Sequence, residues 1–103
     1  MSNLTGTVRA KVRTPENPTI YNVVAVVADT EYAQVLSGAT KQLRIKARGN
    51  AKLRIAFSAG ATATSYVTVP RGCEYPIEAV NYAGNIYFRS NVAGETVEIV
   101  EWV

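Results

Sequence analysis

The most regular pattern of the chain spans residues 41–58, KQLRIKARGNAKLRIAFS. Apolar side chains alternate with mostly basic ones as far as Gly49, and the alternation resumes after Asn50. Such alternation is typical of half-buried β-strands, and Gly-Asn between two alternating runs is typical of a turn. The sequence therefore predicts a β-hairpin here, with one apolar face and one basic face.

The loop length sets the register of this hairpin. A three-residue loop, residues 48–50, keeps both apolar sets on the core side, with Gly49 or Asn50 in the left-handed conformation. The resulting apolar pairs are Ile45 with Leu53 and Leu43 with Ile55. The outer face carries two like-charge pairs, which we call the basic ladder: Lys46 opposite Lys52 and Arg44 opposite Arg54. Each such pair costs up to about 1 kcal/mol. We therefore expect an acidic surface over the ladder, from a protein or a nucleic acid, with a merely solvated face as the alternative.

The size and composition of the chain indicate its class. A chain of 103 residues makes one domain, residues 1–103, large enough to bury a core without disulfides or metals. With 48% hydrophobic and 18% charged residues and no long apolar run, we expect a globular protein without a membrane span. The first residues, Met-Ser-Asn-Leu-Thr-Gly, lack the regions of a signal peptide, so we do not expect secretion by that route.

The charges are unevenly distributed along the chain. Residues 1–54 carry nine Lys or Arg and three Asp or Glu, a balance of +6, whereas residues 55–103 carry two and five, a balance of −3. Halves of opposite sign attract each other. The glutamates of the second half either lie beside the basic hairpin of the same monomer or meet it between copies, and the sequence leaves both arrangements open.

The residue counts limit the chemistry. The chain has no histidine and one cysteine, Cys73, which excludes histidine-dependent nucleophiles, an internal disulfide and a Cys/His metal cluster. Cys73 follows Arg71-Gly72, and we expect a buried or half-buried thiol at a turn. Glu98 and Glu101 have opposite strand parity, so spacing alone does not pair their carboxylates. We expect a protein that is not an enzyme and binds no cofactor or metal.

Strand patterns separated by turn residues recur along the whole chain. Eight or so short strands at this spacing predict an all-β fold, an antiparallel β-sandwich or jelly roll. Pro76 places its strand at a sheet edge, because proline cannot donate to the ladder. The predicted strands cover residues 4–13, 20–28, 32–36, 41–47, 52–58, 65–69, 74–78, 86–90 and 96–103.

Two strands near the N-terminus have distinct patterns. Residues 1–18 are predicted to form an N-terminal strand or arm, in which apolar residues alternate with Arg9, Lys11 and Arg13 and which ends at the prolines of residues 14–18. Residues 20–28 are apolar at nearly every position, so both faces of that strand must be covered. This predicts either a central strand with an extra cover or a subunit interface.

The order of features in residues 41–103 resembles small β-sandwich virion proteins of tailed bacteriophages, such as capsid decoration or cement proteins and small structural proteins of the particle. Residues 1–40 show no such resemblance. The likeness implies a non-enzymatic particle component that works as an oligomer, and it supplies no functional residues. It rests on these segments: Gln42-Leu43-x-Ile45-x-Ala47-Arg48-Gly49, Leu53-x-Ile55-Ala56-Phe57, Tyr66-x-Thr68-Val69-Pro70-x-Gly72-x-x-Tyr75-x-Ile77, Ile86-Tyr87-x-x-Ser90, and Val97-Glu98-Ile99 with Trp102.

Three functional hypotheses follow. In the first, the protein is a virion component assembled in the host cytoplasm, which self-associates and binds the major capsid protein or another virion protein. The interface residues predicted for it are Arg9, Lys11, Arg13, Arg44, Lys46, Lys52, Arg54 and Trp102. The second is a carbohydrate-binding module, suggested by six tyrosines and one tryptophan. The third is a nucleic-acid-binding module, which the ladder favours but the lack of aromatic residues among its basic residues disfavours.

Overall fold

The computed structural model describes residues 17–78 and 82–103. The strand predicted over residues 4–13, with Arg9, Lys11 and Arg13, lies outside the described residues. The described chain is all-β apart from one short 3-10 helix, Ala61–Ala63. Its strands are β1 (Thr19–Ala25), β2 (Tyr32–Val35), β3 (Gln42–Ala47), β4 (Leu53–Ala56), β5 (Val67–Val69), β6 (Glu74–Ile77), β7 (Asn85–Ser90) and β8 (Glu95–Trp102).

The strands form two four-stranded antiparallel sheets packed as a sandwich. The strand order is β1-β8-β3-β6 in the first sheet and β2-β7-β4-β5 in the second. Consecutive strands mostly alternate between the sheets, and only β4 and β5 are neighbours in both sequence and space. This is the order of an eight-stranded jelly roll. The predicted fold class is confirmed.

The core follows from the alternation that the sequence shows. In β3, β7 and β8 buried residues recur at every second position, and these side chains point between the sheets. Phe88 is fully buried and stacks against Tyr32, with 6.2 Å between the ring centroids. The buried apolar cluster consists of Leu36, Leu43, Ile45, Ala47, Ala51, Leu53, Ile55, Val69, Ile86, Phe88, Val97 and Ile99.

The predicted hairpin of residues 41–58 is wrong, because β3 and β4 lie in different sheets. β3 pairs with β8 and β6, whereas β4 pairs with β7 and β5. The connection between them, residues 48–52, therefore crosses from one sheet to the other. Both strands still turn their apolar residues inward, because a crossing connection and a hairpin can bury the same alternating pattern. The basic ladder does not exist.

Gly49 contributes to this crossing connection in a way other than the predicted one. Among the described residues other than glycine only Asp29 has a positive φ, so Asn50 is not left-handed, and neither is Gly49. Instead, the Gly49 backbone N–H donates to Glu95 Oε2 over 2.6 Å. A Cβ at this position would lie 2.7 Å from Glu95 Oε1, so the close approach of the carboxylate favours glycine.

The turn of residues 70–73 has the predicted form but not the predicted burial. The Cys73 N–H donates to the Pro70 carbonyl over 3.2 Å, and Gly72 has a φ of 74°, as a turn with early proline and late glycine requires. Cys73 is exposed. The expected buried or half-buried thiol is therefore wrong, because the whole segment of residues 70–74 is exposed.

A buried carboxylate joins the strands of the first sheet to the connection that precedes β3. Glu101 of β8 is 1% exposed. It accepts hydrogen bonds from the Tyr21 hydroxyl at 2.8 Å, from the Ser37 backbone and hydroxyl at 3.1 and 2.7 Å, and from the Thr40 hydroxyl. Burial is the largest effect and raises the pKa of Glu101, but these bonds together outweigh it and hold the pKa below its ordinary value.

Glu101→Gln tests this arrangement. The amide keeps the shape of the side chain but turns an N–H₂ group toward hydroxyl and N–H donors, so we expect the free energy of unfolding at pH 7 to fall by about 1–3 kcal/mol. Urea denaturation measures the change. Glu98→Gln is the matched control on the same strand, because Glu98 faces outward in an exposed ion pair with Arg48, and its loss should cost less than about 1 kcal/mol.

The lowered pKa of Glu101 predicts that the stability of the protein depends on pH. Because the folded-state pKa of Glu101 lies below the ordinary 4.5, its contribution to stability is complete above that pH. The contribution is lost as the pH falls through the folded-state pKa. Urea denaturation below pH 4.5 should therefore show a smaller acid-induced decrease in stability for Glu101→Gln than for the unsubstituted protein. Identical acid dependence in the two proteins would contradict this role.

Candidate interaction surfaces

The basic residues predicted to share one face lie on opposite sides of the sandwich. Arg44 and Lys46 project from β3 on the outer face of the first sheet, and Lys52 and Arg54 accompany β4 on the outer face of the second. Trp102, at the end of β8, is on the same side as Arg44. The guanidinium carbon of Arg44 lies 6.0 Å from the centre of the Trp102 ring. The five predicted interface residues that the structure describes, Arg44, Lys46, Lys52, Arg54 and Trp102, therefore do not form one surface, and Arg9, Lys11 and Arg13 lie outside the described residues.

Acidic residues of the same subunit neutralise the basic residues of the first sheet. Lys46 lies between Glu74 of β6 and Glu98 of β8 in the strand register. Glu74 accepts a hydrogen bond from Arg44 at 2.9 Å, and Glu98 accepts one from Arg48 at 2.7 Å. Of the two arrangements that the charge distribution allowed, β3 therefore shows the one within the monomer.

On the outer face of the second sheet, basic residues lie together without an acidic residue paired to them among the described residues. Arg54 lies directly opposite Arg89 of β7, and Lys52 lies beside Asn91, to whose side-chain oxygen its backbone N–H donates over 2.8 Å. These side chains line a pocket of about 290 Å³, which we call the basic pocket. Its lining residues are Asp29, Lys52, Arg54, Tyr66, Thr68, Arg89 and Asn91.

The two arginines of the basic pocket are held in place by uncharged groups. The Arg54 guanidinium lies over the Tyr66 ring, 4.3 Å from its centre, a favourable cation–π contact. Arg54 also donates to the Thr62 carbonyl at 3.4 Å, and the Arg89 Nε–H donates to the Thr62 hydroxyl at 3.1 Å. Within residues 17–78 and 82–103 the ion pairs are Arg44–Glu74 and Arg48–Glu98, so neither pocket arginine has a carboxylate in contact.

Glu31 does not line the basic pocket, but it holds Thr62, which binds both pocket arginines. It accepts hydrogen bonds from the Thr62 hydroxyl and N–H and from the Gly60 N–H, at 2.5 to 3.2 Å. The hydrogen bond from the Thr62 hydroxyl is the largest effect that lowers the pKa of Glu31, with a smaller contribution from the charge of Arg89. Glu31 thereby orders the 3-10 helix that contains Thr62.

Of the seven residues that line the basic pocket, the sequence predicted only Lys52 and Arg54 as interface residues. Arg89 carries the same outward parity as Arg54, but nothing local indicates that β4 and β7 are neighbours. Tyr66 lies directly before β5, Asn91 in the connection after β7 and Asp29 in the connection after β1. Strand parity could have placed Arg54, Thr68 and Arg89 on an outer face, but only the strand order and the connections bring the lining residues together.

An exposed apolar surface follows the edge of the first sheet. β1 pairs with β8, and the described part of the chain gives it no neighbour on its other side. Its Tyr21 and Val23 pack against the core, whereas Ile20 is 60% exposed and Val24 is 49% exposed. Val26 and Val27, directly after β1, are also more than half exposed. We call this apolar set the β1 edge: Ile20, Val24, Val26 and Val27.

The β1 edge lacks the features by which edge strands usually avoid pairing with another chain. Natural edge strands are short, or carry charges or proline. Among the other described edges, β2 has four residues, β5 has three, and β6 contains Pro76 and Glu74. β1 has seven residues, TIYNVVA, without a charge or a proline. Of the two covers predicted for this strand, its edge position favours a subunit interface over a central place in the sheet.

Most tyrosines contribute to packing and not to an exposed platform. Tyr21, Tyr32, Tyr75 and Tyr82 pack against the buried cluster, and Phe57 meets the Tyr82 ring edge-on at 5.8 Å between centroids. Burial raises the pKa of the Tyr82 hydroxyl, with a smaller effect from Tyr87. Tyr66 is 39% exposed, but it is stacked against Arg54. A row of coplanar exposed rings, as sugar stacking needs, is not formed by the described residues.

Comparisons with protein-family models, with curated proteins and with solved structures gave no match to this chain. None of the helices in the described part of the chain is long and apolar enough to cross a membrane. The case for a function therefore rests on the jelly roll, the β1 edge and the basic pocket.

Double-mutant cycles test the contrast between the two outer faces. The side chains of Arg44 and Glu74 are 44% and 40% exposed, so their coupling in unfolding experiments should be favourable, below about 1 kcal/mol, and weaker at high salt. Arg54 and Arg89 form the comparison pair, and their coupling should have the opposite sign, because like charges lie opposite each other. A favourable coupling between Arg54 and Arg89 would contradict the described register.

Proposed function

We propose that this protein is a non-enzymatic structural component of a bacteriophage particle, a capsid decoration or cement protein that self-associates and binds the particle surface. The resemblance of residues 41–103 to small β-sandwich virion proteins suggests it. The jelly-roll strand order adds support, since this architecture recurs in viral capsid proteins, although lectins share it. The observation that carries the proposal is the β1 edge.

A second copy of the chain fits the β1 edge. In an antiparallel pairing of two β1 strands about a two-fold axis at Asn22, Ile20 of one copy lies opposite Val24 of the other, and the reverse. Because β1 has no charge, self-pairing brings no like charges together. Ile20 is also a cross-strand neighbour of Val100, so the apolar surface would continue across the joined sheets. The pairing satisfies the backbone groups of the edge and removes apolar area from water.

The alternatives have less support from the geometry. A nucleic-acid-binding module required cations stacked along one face, and the strand order divides them between two sheets, one of which neutralises its share with Glu74 and Glu98. A carbohydrate-binding module required exposed coplanar rings, whereas four of the six tyrosines pack against the core. Both alternatives lose the feature that suggested them.

Val24→Lys tests self-association. Antiparallel pairing about Asn22 would bring two added lysines close to the interface, so we expect the mass measured by sedimentation equilibrium to fall from an oligomer to a monomer. Val35→Lys is the matched control, because Val35 is 66% exposed on the short edge strand β2 of the other sheet. It should leave the mass unchanged. An unsubstituted protein that stays monomeric at high micromolar concentration would refute the proposal.

Binding to the particle needs a separate measurement. Purified protein mixed with heads of tailed phages from which decoration proteins have been stripped should co-sediment with them. Because several linked copies bind a repeating surface more tightly than one, the Val24→Lys monomer should bind the heads more weakly than the Val35→Lys oligomer. A protein that forms oligomers but ignores every head tested would leave self-association standing and refute the role on the particle.

A further inference from the structure

The basic pocket has a charge balance that a small anion would complete. Its lining includes three cations, Lys52, Arg54 and Arg89, and one anion, Asp29. The strands of the second sheet contain no acidic residue at all. Glu31, the other carboxylate nearby, already accepts hydrogen bonds from Gly60 and Thr62. The pocket therefore has a net charge of +2 without a ligand.

The cationic groups are arranged as donors toward a common space. Each guanidinium has five N–H donors, and the hydrogen bonds to Thr62 use one N–H of Arg54 and one of Arg89. The contact with the Tyr66 ring is a cation–π contact and not a hydrogen bond to a Tyr66 oxygen, so the other N–H groups of Arg54 remain available as donors. Two oriented guanidiniums beside an ammonium suit the oxygens of a tetrahedral anion, which arginine binds through paired hydrogen bonds.

The structure holds these like charges together even though their repulsion is unfavourable. Arg54 and Arg89 are direct cross-strand partners, an arrangement that costs stability. A bound anion would reverse that cost, because it would be attracted to both. The arrangement also means that little side-chain reorganisation precedes binding, since Tyr66 and Thr62 already position the two arginines.

From these observations we infer that the basic pocket binds a phosphate monoester, with Arg54 and Arg89 contacting the phosphate oxygens and Lys52 adding charge. A phosphate monoester carries an average charge of about −1.5 to −2 at pH 7, close in magnitude to the net charge of +2 of the lining. The volume of about 290 Å³ lies at the lower end of ligand pockets and fits a compact molecule. The exposed part of the Tyr66 ring offers a contact for the organic group of the ester. This site lies on the opposite sheet from the β1 edge and is independent of self-association.

Titration calorimetry with phenyl phosphate at constant ionic strength tests this assignment. We expect saturable one-site binding to the full chain, weakened by about tenfold or more in Arg54→Gln and in Arg89→Gln. Arg44→Gln is the matched control, because it makes the same change of charge on the other sheet, and it should leave the affinity within about twofold. Equal weakening by all three substitutions, or no saturable binding, would overturn the assignment.

A ligand control and a pH series test the identity of the anion. Phenyl sulfate has the same ring but is a monoanion, and it should bind about tenfold more weakly. The second pKa of phosphate monoesters is about 6, so phenyl phosphate should bind progressively less below that pH, whereas phenyl sulfate should change little. The titratable groups that face the ligand are Asp29, Lys52, Arg54, Tyr66 and Arg89, with Glu31 behind Thr62. Equal affinity for the two esters would overturn the assignment to phosphate.

Lys52→Gln guards against a folding artefact. The Lys52 side chain is exposed, so Lys52→Gln should preserve the fold. The Arg54→Gln variant, in contrast, loses the contact with Tyr66 and could lose stability for that reason. Lys52→Gln should weaken phenyl phosphate binding several-fold with an unchanged unfolding transition. An unchanged affinity in this variant, together with wild-type binding by Arg89→Gln, would refute the pocket.

Discussion

The position of β8 between β1 and β3 is the constraint on which the rest of the structure depends. Its inward residues Val97 and Ile99 join the core, and Glu101 accepts the hydrogen bonds that tie β1 and the connection before β3 to it. Its outward Glu98 meets the basic residues of β3. One strand thus supplies the centre of the first sheet, a buried polar anchor and the charges that neutralise a basic neighbour.

A second consequence is the contrast between the two outer faces. The acidic residues within strands, on β6 and β8, all belong to the first sheet, so β4 and β7 bring Arg54 and Arg89 together without an acidic strand beside them. Within the described residues, the first sheet combines ion pairs with an uncharged edge strand that has no neighbour on its outer side, and the second presents a cationic pocket. An interface between copies and a site for a small anion can therefore coexist on one small domain without competing for the same residues.

Much of the fold could be predicted from the sequence, but the candidate sites could not. The strands that the structure describes lie close to the predicted ranges, and Pro76 is on an edge strand as expected. The predicted pairing of residues 41–47 with 52–58 is wrong, because five connecting residues allow a hairpin or a crossing between sheets. Both bury the same side chains, so the hydrophobic pattern does not distinguish them. Because of that error the sequence predicted Arg44 as the cross-strand neighbour of Arg54, whereas the neighbour in the structure is Arg89.

The sequence by itself determined the all-β class, the inward and outward side of each strand and the lack of histidine chemistry, because composition and period-two alternation are local properties of the chain. Only the tertiary structure decided which strands are neighbours. Strand neighbours determine which charges cancel, as at Arg44 and Glu74, and which remain together, as at Arg54 and Arg89. They also determine which strand is left at an edge. Such pairings join residues far apart in sequence, and backbone hydrogen bonds between strands are nearly independent of the side chains they carry, so no local pattern specifies them.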